Sequence, residues 1–265
     1  MDQTALFAGL AQIARQAGAA IMDIYSRPIA VTTKDDASPL TEADLASDAV
    51  IARGLAALTP AIPVISEEAV AQGQIPDISG GRFWLVDPLD GTKEFIRRNG
   101  EFTVNIGLID QGVPTFGALY VPAQDRLFLA APGLALLEEA GQPARPIHCR
   151  VPPSEGVTLL SSRSHRNPDQ FDAYIQSLNV TVAGTAFAGS ALKFALIAAG
   201  EADLYPRFGP TSEWDTAAGH ALLLAAGGSL TLTDGGVFAY GKPKFLNPGF
   251  IARGRIMAYP PTPQG

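Results

Sequence analysis

The sequence predicts a layered sandwich of the α+β or α/β kind, with alternating helix and sheet layers arranged in two lobes. Three observations carry this. Apolar residues at helical spacing open the chain, three strand-like runs joined by short turns occupy its middle, and strands alternate with helices after a Pro- and Gly-rich stretch at 141–156. That stretch divides the chain into a lobe of residues 1–150, with an antiparallel sheet and most of the acidic site residues, and a lobe of residues 151–265 that supplies the remainder.

Leu6, Leu10, Ile13, Ala17, Ala20 and Ile24 lie on one face of an opening helix. A second helix begins after Thr41, where Thr41-Glu42-Ala43-Asp44 has the form of a capping box with Asp44 in place of the usual Glu, and runs to about Leu58 before Pro60. Strands are expected at Pro63 to Ile65, Phe83 to Val86, Thr103 to Ile109, Thr115 to Val121 and Arg126 to Ala130, the last three as an antiparallel meander. Further strands are expected at Thr158 to Ser161, Asp203 to Tyr205, Ser229 to Leu232 and Phe250 to Ala252. Helices are expected at Asp169 to Leu178, Ser190 to Ala199 and Thr216 to Ala226.

With 265 residues and 47% hydrophobic content the chain can build a substantial core. Its formal charge of -7 argues against nucleic acid or anionic lipid as a general partner, because such surfaces need clustered Lys and Arg. A small phosphorylated substrate is still allowed, since cations can neutralise an acidic cluster locally. Cys149 is the only cysteine, which excludes an intrachain disulfide and makes a cytoplasmic location the default, with attachment at the inner membrane surface left open. Gln12, Arg15 and Gln16 interrupt the first apolar face, and no segment is expected to span a bilayer. No feature of the sequence sets the oligomeric state.

Chemistry concentrates where acids end apolar elements. Asp87 and Asp90 follow Phe83 to Val86, in a turn around Pro88 that runs into a helix opened by Gly91, Thr92 and Lys93. Carboxylates so placed suit a hard cation such as Mg2+, and the backbone N–H groups of Gly91 and Thr92 suit an anion. Glu67 and Glu68 follow Val64-Ile65-Ser66, and Asp215 opens a helix after Trp214. Each acid alone has a plain structural explanation as a cap or a solvated charge, but convergence of several would cost too much repulsion without cations. Lys93, Arg97 and Arg98 are first read as a solvated helix face, and His148 and His220 as structural.

Glu67-Glu68, Asp87-Pro88-Leu89-Asp90-Gly91-Thr92 and Trp214-Asp215-Thr216-Ala217-Ala218-Gly219 resemble, in order and separation, the three signature motifs of the inositol monophosphatase superfamily of Mg2+-dependent, lithium-sensitive phosphatases. Within it, Gly91 to Ile96, Arg98 to Ile106 and Leu204 to Pro210 look like the bacterial 3'(2'),5'-bisphosphate nucleotidases, and the resemblance runs over almost the whole chain. It implies two or three Mg2+ ions held by Glu67, Asp87, Asp90, Asp215 and the carbonyl of Leu89. It also implies a catalytic pair of Asp36 and Thr92, with spacing to Ser38 favouring Asp36 over Asp35. Substrate contacts are implied at Glu67, Leu89, Asp90, Gly91, Thr92, His165, Ser190, Lys193, Arg207 and Asp215.

The chemistry implied is in-line attack of water on phosphorus. A divalent ion lowers the pKa of water, a hydroxyl–carboxylate pair accepts its proton, and a second ion about 3.5 to 4 Å away offsets charge on the leaving oxygen. The substrate expected is adenosine 3',5'-bisphosphate or its sulfated form. Inositol monophosphatase or sugar bisphosphatase activity is the alternative within the superfamily, and Lys193 with Arg207 argues against it because a second phosphate needs cationic partners. A non-catalytic nucleotide sensor is the alternative from another class.

Overall fold

A computed structural model describes residues 3–29, 31–33, 39–163 and 168–255. Its helices are α1 (Gln3–Tyr25), α2 (Glu42–Leu58), α3 (Glu67–Ala71), α4 (Thr92–Ile96), α5 (Pro168–Ser177), α6 (Leu192–Ala198) and α7 (Ala217–Ala225). One sheet holds seven strands in sequential order: β1 (Val64–Ser66), β2 (Arg82–Asp90), β3 (Thr103–Asp110), β4 (Val113–Val121), β5 (Arg126–Ala131), β6 (Leu134–Glu139) and β7 (Arg145–Pro146). A second sheet holds β8 (Val157–Ser162), β9 (Val182–Ala188), β10 (Leu204–Arg207), β11 (Ser229–Leu232) and β12 (Phe250–Arg253), in the order β9-β8-β10-β12-β11. Short ribbons pair Val31–Thr33 with Pro39–Thr41 and Thr211–Ser212 with Leu246–Asn247.

Side-chain alternation along the strands sorts the core into layers. Trp84 and Val86 of β2 pack with α1 and α2, whereas Phe83 and Leu85 face the layer that contains α6 and α7. Tyr205 and Phe250 of the second sheet close that layer from the other side, and Leu159, Leu204 and Ile251 on the far face of the second sheet pack with Phe171 of α5. The result is helix, sheet, helix, sheet, helix. Strands β2 and β3 are buried on both faces, which is why Phe83 to Val86 of β2 reads as a continuous apolar run rather than an alternating one.

The buried face of α1 is Leu6, Leu10, Ile13, Ala14, Ala17, Ile21 and Ile24; Ala20 lies at its margin and Ile21 takes the core position instead. Contrary to the sequence expectation, α1 is long and apolar enough to cross a membrane by length and composition. Its apolar stripe is spent on the core, as in a buried helix of a folded domain.

Close approach of α7 to the first sheet depends on two missing side chains. A Cβ at Gly107 of β3 would meet Ala217 Cβ at 2.7 Å and Ala218 N at 2.8 Å, and one at Gly117 of β4 would meet Ala218 O at 2.8 Å. The glycines bring the N-terminus of α7 down onto the strands whose neighbour, β2, carries Asp87 and Asp90.

Candidate active site

β1 and β2 run parallel with Ser66 opposite Val86, so Glu67 and Asp87 emerge side by side at the ends of adjacent strands. The sequence expectation of a turn at Asp87 is corrected by the structure, in which β2 continues to Asp90 through an irregularity. Asp87 pairs with Asn105 and Asp90 with Thr103, so three steps on β2 face two on β3. In a regular strand residues three apart point to opposite faces; the bulge turns both acids to the same side. Leu89 N donates to Asp87 Oδ1 at 3.1 Å, and Gly91, at φ 90, makes the left-handed step into α4.

Helix α2 stands behind this segment and holds it by one polar face. Ser47 Oγ donates to Pro88 O at 2.7 Å, and Asp48 accepts from the hydroxyl of Ser66, next to Glu67. Asp44 Oδ1 accepts from Thr92 Oγ1 at 3.3 Å. Residues 44, 47 and 48 share a face through their three- and four-residue spacing. The capping box is present as expected, with Thr41 N donating to Asp44 Oδ2 at 2.8 Å. The contact between Asp44 and Thr92 was not anticipated. Asp36, the expected partner of Thr92, and His165 lie outside the described residues.

Asp215 reaches the cluster from the segment just before α7. It ends a short 3-10 turn, Glu213–Asp215, and its Oδ2 accepts from Ser212 N at 2.8 Å, so the acid caps as well as faces the cleft. Arg207 comes from the second sheet, Lys193 from α6, and Ser190 from the turn between β9 and α6. Lys193 Nζ donates to Ser190 O at 2.5 Å and Ala188 O at 3.2 Å and lies 5.0 Å from the centre of the Tyr205 ring. Arg207 is folded onto the next turn, donating to Gly209 O at 3.2 Å and Pro210 O at 3.0 Å.

All these groups border one cleft of about 280 Å3: Glu67, Asp87, Leu89, Asp90, Gly91, Thr92, Ser190, Lys193, Arg207 and Asp215 line it together. The sequence reading missed Glu94, Ser162, Thr211 and Thr216, which also line it: Ser162 and Thr211 stand in no motif, and Glu94 and Thr216 stand in motifs whose neighbouring acids and Thr92 already carried the chemistry. Lys93 borders the cleft too, whereas Arg98 turns away to donate to Tyr25 O and Arg27 O, each at 2.6 Å. His220 is structural, as expected: it is buried, with Nδ1 3.1 Å from the Tyr240 hydroxyl.

The electrostatics favour a cation. Burial, together with the charges of Glu67 and Glu94 and against the pull of Lys193 and the Ala191 N–H, raises the Asp90 carboxyl to about 6. Burial and the charges of Asp90 and Glu67 raise Asp215 well above the usual carboxylate range. Burial lowers Lys193 to about 8, opposed by Asp90. Among the described residues no three His, Cys, Asp or Glu side chains are already closed around a common point. The acids nonetheless feel each other's charge, and Asp90 and Asp215 each use only Oδ2 in a described hydrogen bond, leaving Oδ1 as an oxygen donor. An all-oxygen set of carboxylates and the Leu89 carbonyl fits Mg2+ in chemistry.

The model of the inositol monophosphatase family matches residues 2–258. The 3'(2'),5'-bisphosphate nucleotidase CysQ of Salmonella typhimurium is 48% identical over 242 residues, which cover 90% of this chain and 96% of that protein. The crystal structure of CysQ from Bacteroides thetaiotaomicron, a bacterial member of the inositol monophosphatase family, superposes with a TM-score of 0.78 at 35% identity, covering 96% of this chain and 98% of that one. Inositol monophosphatase from Anabaena superposes with a TM-score of 0.73 at 27% identity, covering 96% and 92%.

Proposed function

The chain belongs to the inositol monophosphatase family, whose members are metal-dependent phosphatases, and on that premise we propose that it hydrolyses the 3'-phosphate of adenosine 3',5'-bisphosphate to give AMP and phosphate. The observation that carries the reading is the meeting, in one cleft, of Glu67, Asp87, Asp90 and Asp215 with the buried Lys193 and with Arg207. Acids alone suit any phosphomonoester with metal. Adding two cations suits a substrate with a second phosphate.

Glu67, Asp87, Asp90, Asp215 and the Leu89 carbonyl are the residues that would hold Mg2+, two or three ions in this proposal. When bound, Mg2+ lowers the pKa of water and neutralises charge on the phosphoryl oxygens. The proposal keeps the lobes of residues 1–150 and 151–265, with Asp215 carried from the second to the acids of the first. It gives Ser190, Lys193, Arg207 and His165 to the nucleotide and its second phosphate.

Thr92, donating to Asp44 Oδ1, has lone pairs left to accept a hydrogen bond from water. As water attacks phosphorus in line, its proton moves to Thr92 Oγ1 while the Thr92 proton moves to Asp44 Oδ1. The bond from phosphorus to the ribose 3'-oxygen breaks, and that oxygen takes a proton from solvent. Configuration at phosphorus inverts. The pair proposed is therefore Thr92 with Asp44, and Asp36 is the competing carboxylate that mutation must separate from it.

Phosphate release from adenosine 3',5'-bisphosphate and inositol 1-phosphate, each with Mg2+ and with chelator, tests the proposal. Expected is a preference for the bisphosphate of about 10- to 100-fold in kcat/KM, the scale of one or two charged hydrogen bonds. A preference for inositol 1-phosphate supports the alternative activity of the family, and no turnover of either supports a sensor.

A further inference from the structure

Ser190 has φ 46, a left-handed conformation that serine rarely adopts. The amides on both sides of it are held by carboxylates from the first sheet's side of the cleft. Ala191 N donates to Asp90 Oδ2 at 2.6 Å, and Gly189 N donates to Glu101 Oε2 at 2.8 Å. Glu101 is itself gripped by Arg163 through two parallel hydrogen bonds, Nε to Oε2 and Nη2 to Oε1, both 2.7 Å, and Arg163 Nη2 also donates to Phe187 O at 3.0 Å. Burial works against ionisation of Glu101, but the bonds from Arg163 and Gly189 outweigh it and hold the carboxyl below its usual value. The fit is tight at the glycine, where a Cβ would meet Glu94 Cγ at 2.7 Å and Glu101 O at 2.9 Å.

We propose that Glu101 and Arg163 are positioning residues for substrate selection: by pinning Gly189 they keep Ser190 left-handed and so set the place of its hydroxyl and of Lys193, which is bonded to Ser190 O. The inference rests on the reading of Ser190 and Lys193 as contacts to the bisphosphate. Geometry supplies the reason for two anchors. A left-handed serine between two ordinary amides relaxes unless both neighbours are fixed, and Asp90, the first anchor, is already engaged by the acidic cluster. Glu101 is the second anchor, away from that cluster. Arg163 keeps it ionised and in line, which a bidentate guanidinium does better than an ammonium. Neither residue lines the cleft.

The role predicts a split between substrates. Arg163 is half exposed, so Arg163→Ala will fold. In it, and in Glu101→Gln, KM for adenosine 3',5'-bisphosphate should rise about tenfold with kcat within about twofold. KM for p-nitrophenyl phosphate, which offers Ser190 and Lys193 neither a second phosphate nor a base, should stay unchanged. Arg163→Lys should recover part of the loss. In substrate-free protein, hydrogen exchange at the Gly189 amide should quicken in Arg163→Ala while α7 amides keep their rates. The inference is overturned if both substrates lose equally, if neither KM moves, or if the Gly189 amide exchanges at its original rate. A parent protein that turns over p-nitrophenyl phosphate but not the bisphosphate overturns the substrate reading, and the selection role with it.

Discussion

Thr92 Oγ1 stands 3.3 Å from Asp44 Oδ1, while the other oxygen of the same carboxylate accepts from Thr41 N at 2.8 Å and Thr41 Oγ1 at 2.7 Å. One acid therefore caps a helix and faces the hydroxyl proposed to take the proton of water. Asp44→Asn keeps the shape and can still accept from Thr41, at a cost of about 1 kcal/mol in stability or less. Its kcat should fall by about 10²- to 10⁴-fold, the usual range for losing a general base, with the Mg2+ titration midpoint nearly unmoved. Thr92→Ala should fall to a similar level and the double variant no further. Asp36→Asn measured in parallel decides between the carboxylates: a loss there as deep, with Asp44→Asn active, returns the role to Asp36.

In metal-free protein the stabilisation from Asp90 and Asp215 should be lost as pH rises, while buried His220, lowered to about 4, works in the opposite sense below about 6.5. Asp90 titrates near 6 in the folded chain against an ordinary 3.8, and Asp215 is shifted in the same direction. The folded state thus binds these protons more tightly than the unfolded state. The stabilisation from Asp90 is complete below about pH 4 and is lost as pH climbs through about 6, and that from Asp215 is lost in the same direction. Melting curves from pH 4 to 8 in chelator should show this fall as the difference between the parent and Asp90→Asn, in which the His220 contribution cancels, and Mg2+ should restore the parent at pH 7 to 8 while releasing protons. A difference in melting temperature between the parent and Asp90→Asn that does not change from pH 4 to 7 would exclude a raised Asp90–Asp215 pair.

Lys193→Met should raise KM for adenosine 3',5'-bisphosphate by about 10- to 100-fold, the scale of a hydrogen bond to a charged group, and leave p-nitrophenyl phosphate within about threefold. Because burial lowers Lys193 to about 8, the bisphosphate KM of the parent protein should also climb as pH passes 8, and the variant should lack that climb. Identical KM profiles above pH 8 would remove Lys193 from the substrate.

Gly107→Ala should separate Asp215 from the other acids. The added methyl would stand 2.7 Å from Ala217 Cβ and 2.8 Å from Ala218 N, so α7 must shift. Overpacking of this kind costs about 1 to 3 kcal/mol, and the Mg2+ titration should move to higher concentration. Gly184→Ala, where nothing lies within 4 Å, is the control and should leave the titration in place.

The acids around Pro88 and the Trp214-Asp215 pair were legible because each is a local pattern with one plausible chemistry. Asp44 was not, because the capping box explains it completely from its near neighbours and its contact with Thr92 spans 48 positions. Continuation of β2 through Pro88 was read as a turn, since proline usually ends a strand and only a bulge accommodates it. Strand β9 escaped notice because its Val-Ala-Gly-Thr-Ala-Phe-Ala run is mostly exposed at a sheet edge and carries no alternation of apolar and polar residues. The layers themselves followed from periodicity. Pairing order followed only for the antiparallel β3-β4-β5 meander, whose turns are short; elsewhere it depends on contacts that no short window contains.

Helix α2 touches three separate parts of the site from Asp44, Ser47 and Asp48. Inserting or deleting a single residue between 44 and 48 would swing one of these side chains by about 100° around the axis and leave its target without a partner. Length variation is therefore forbidden inside these five residues. The helix works as a spacing gauge, and its accuracy lies in its count of residues.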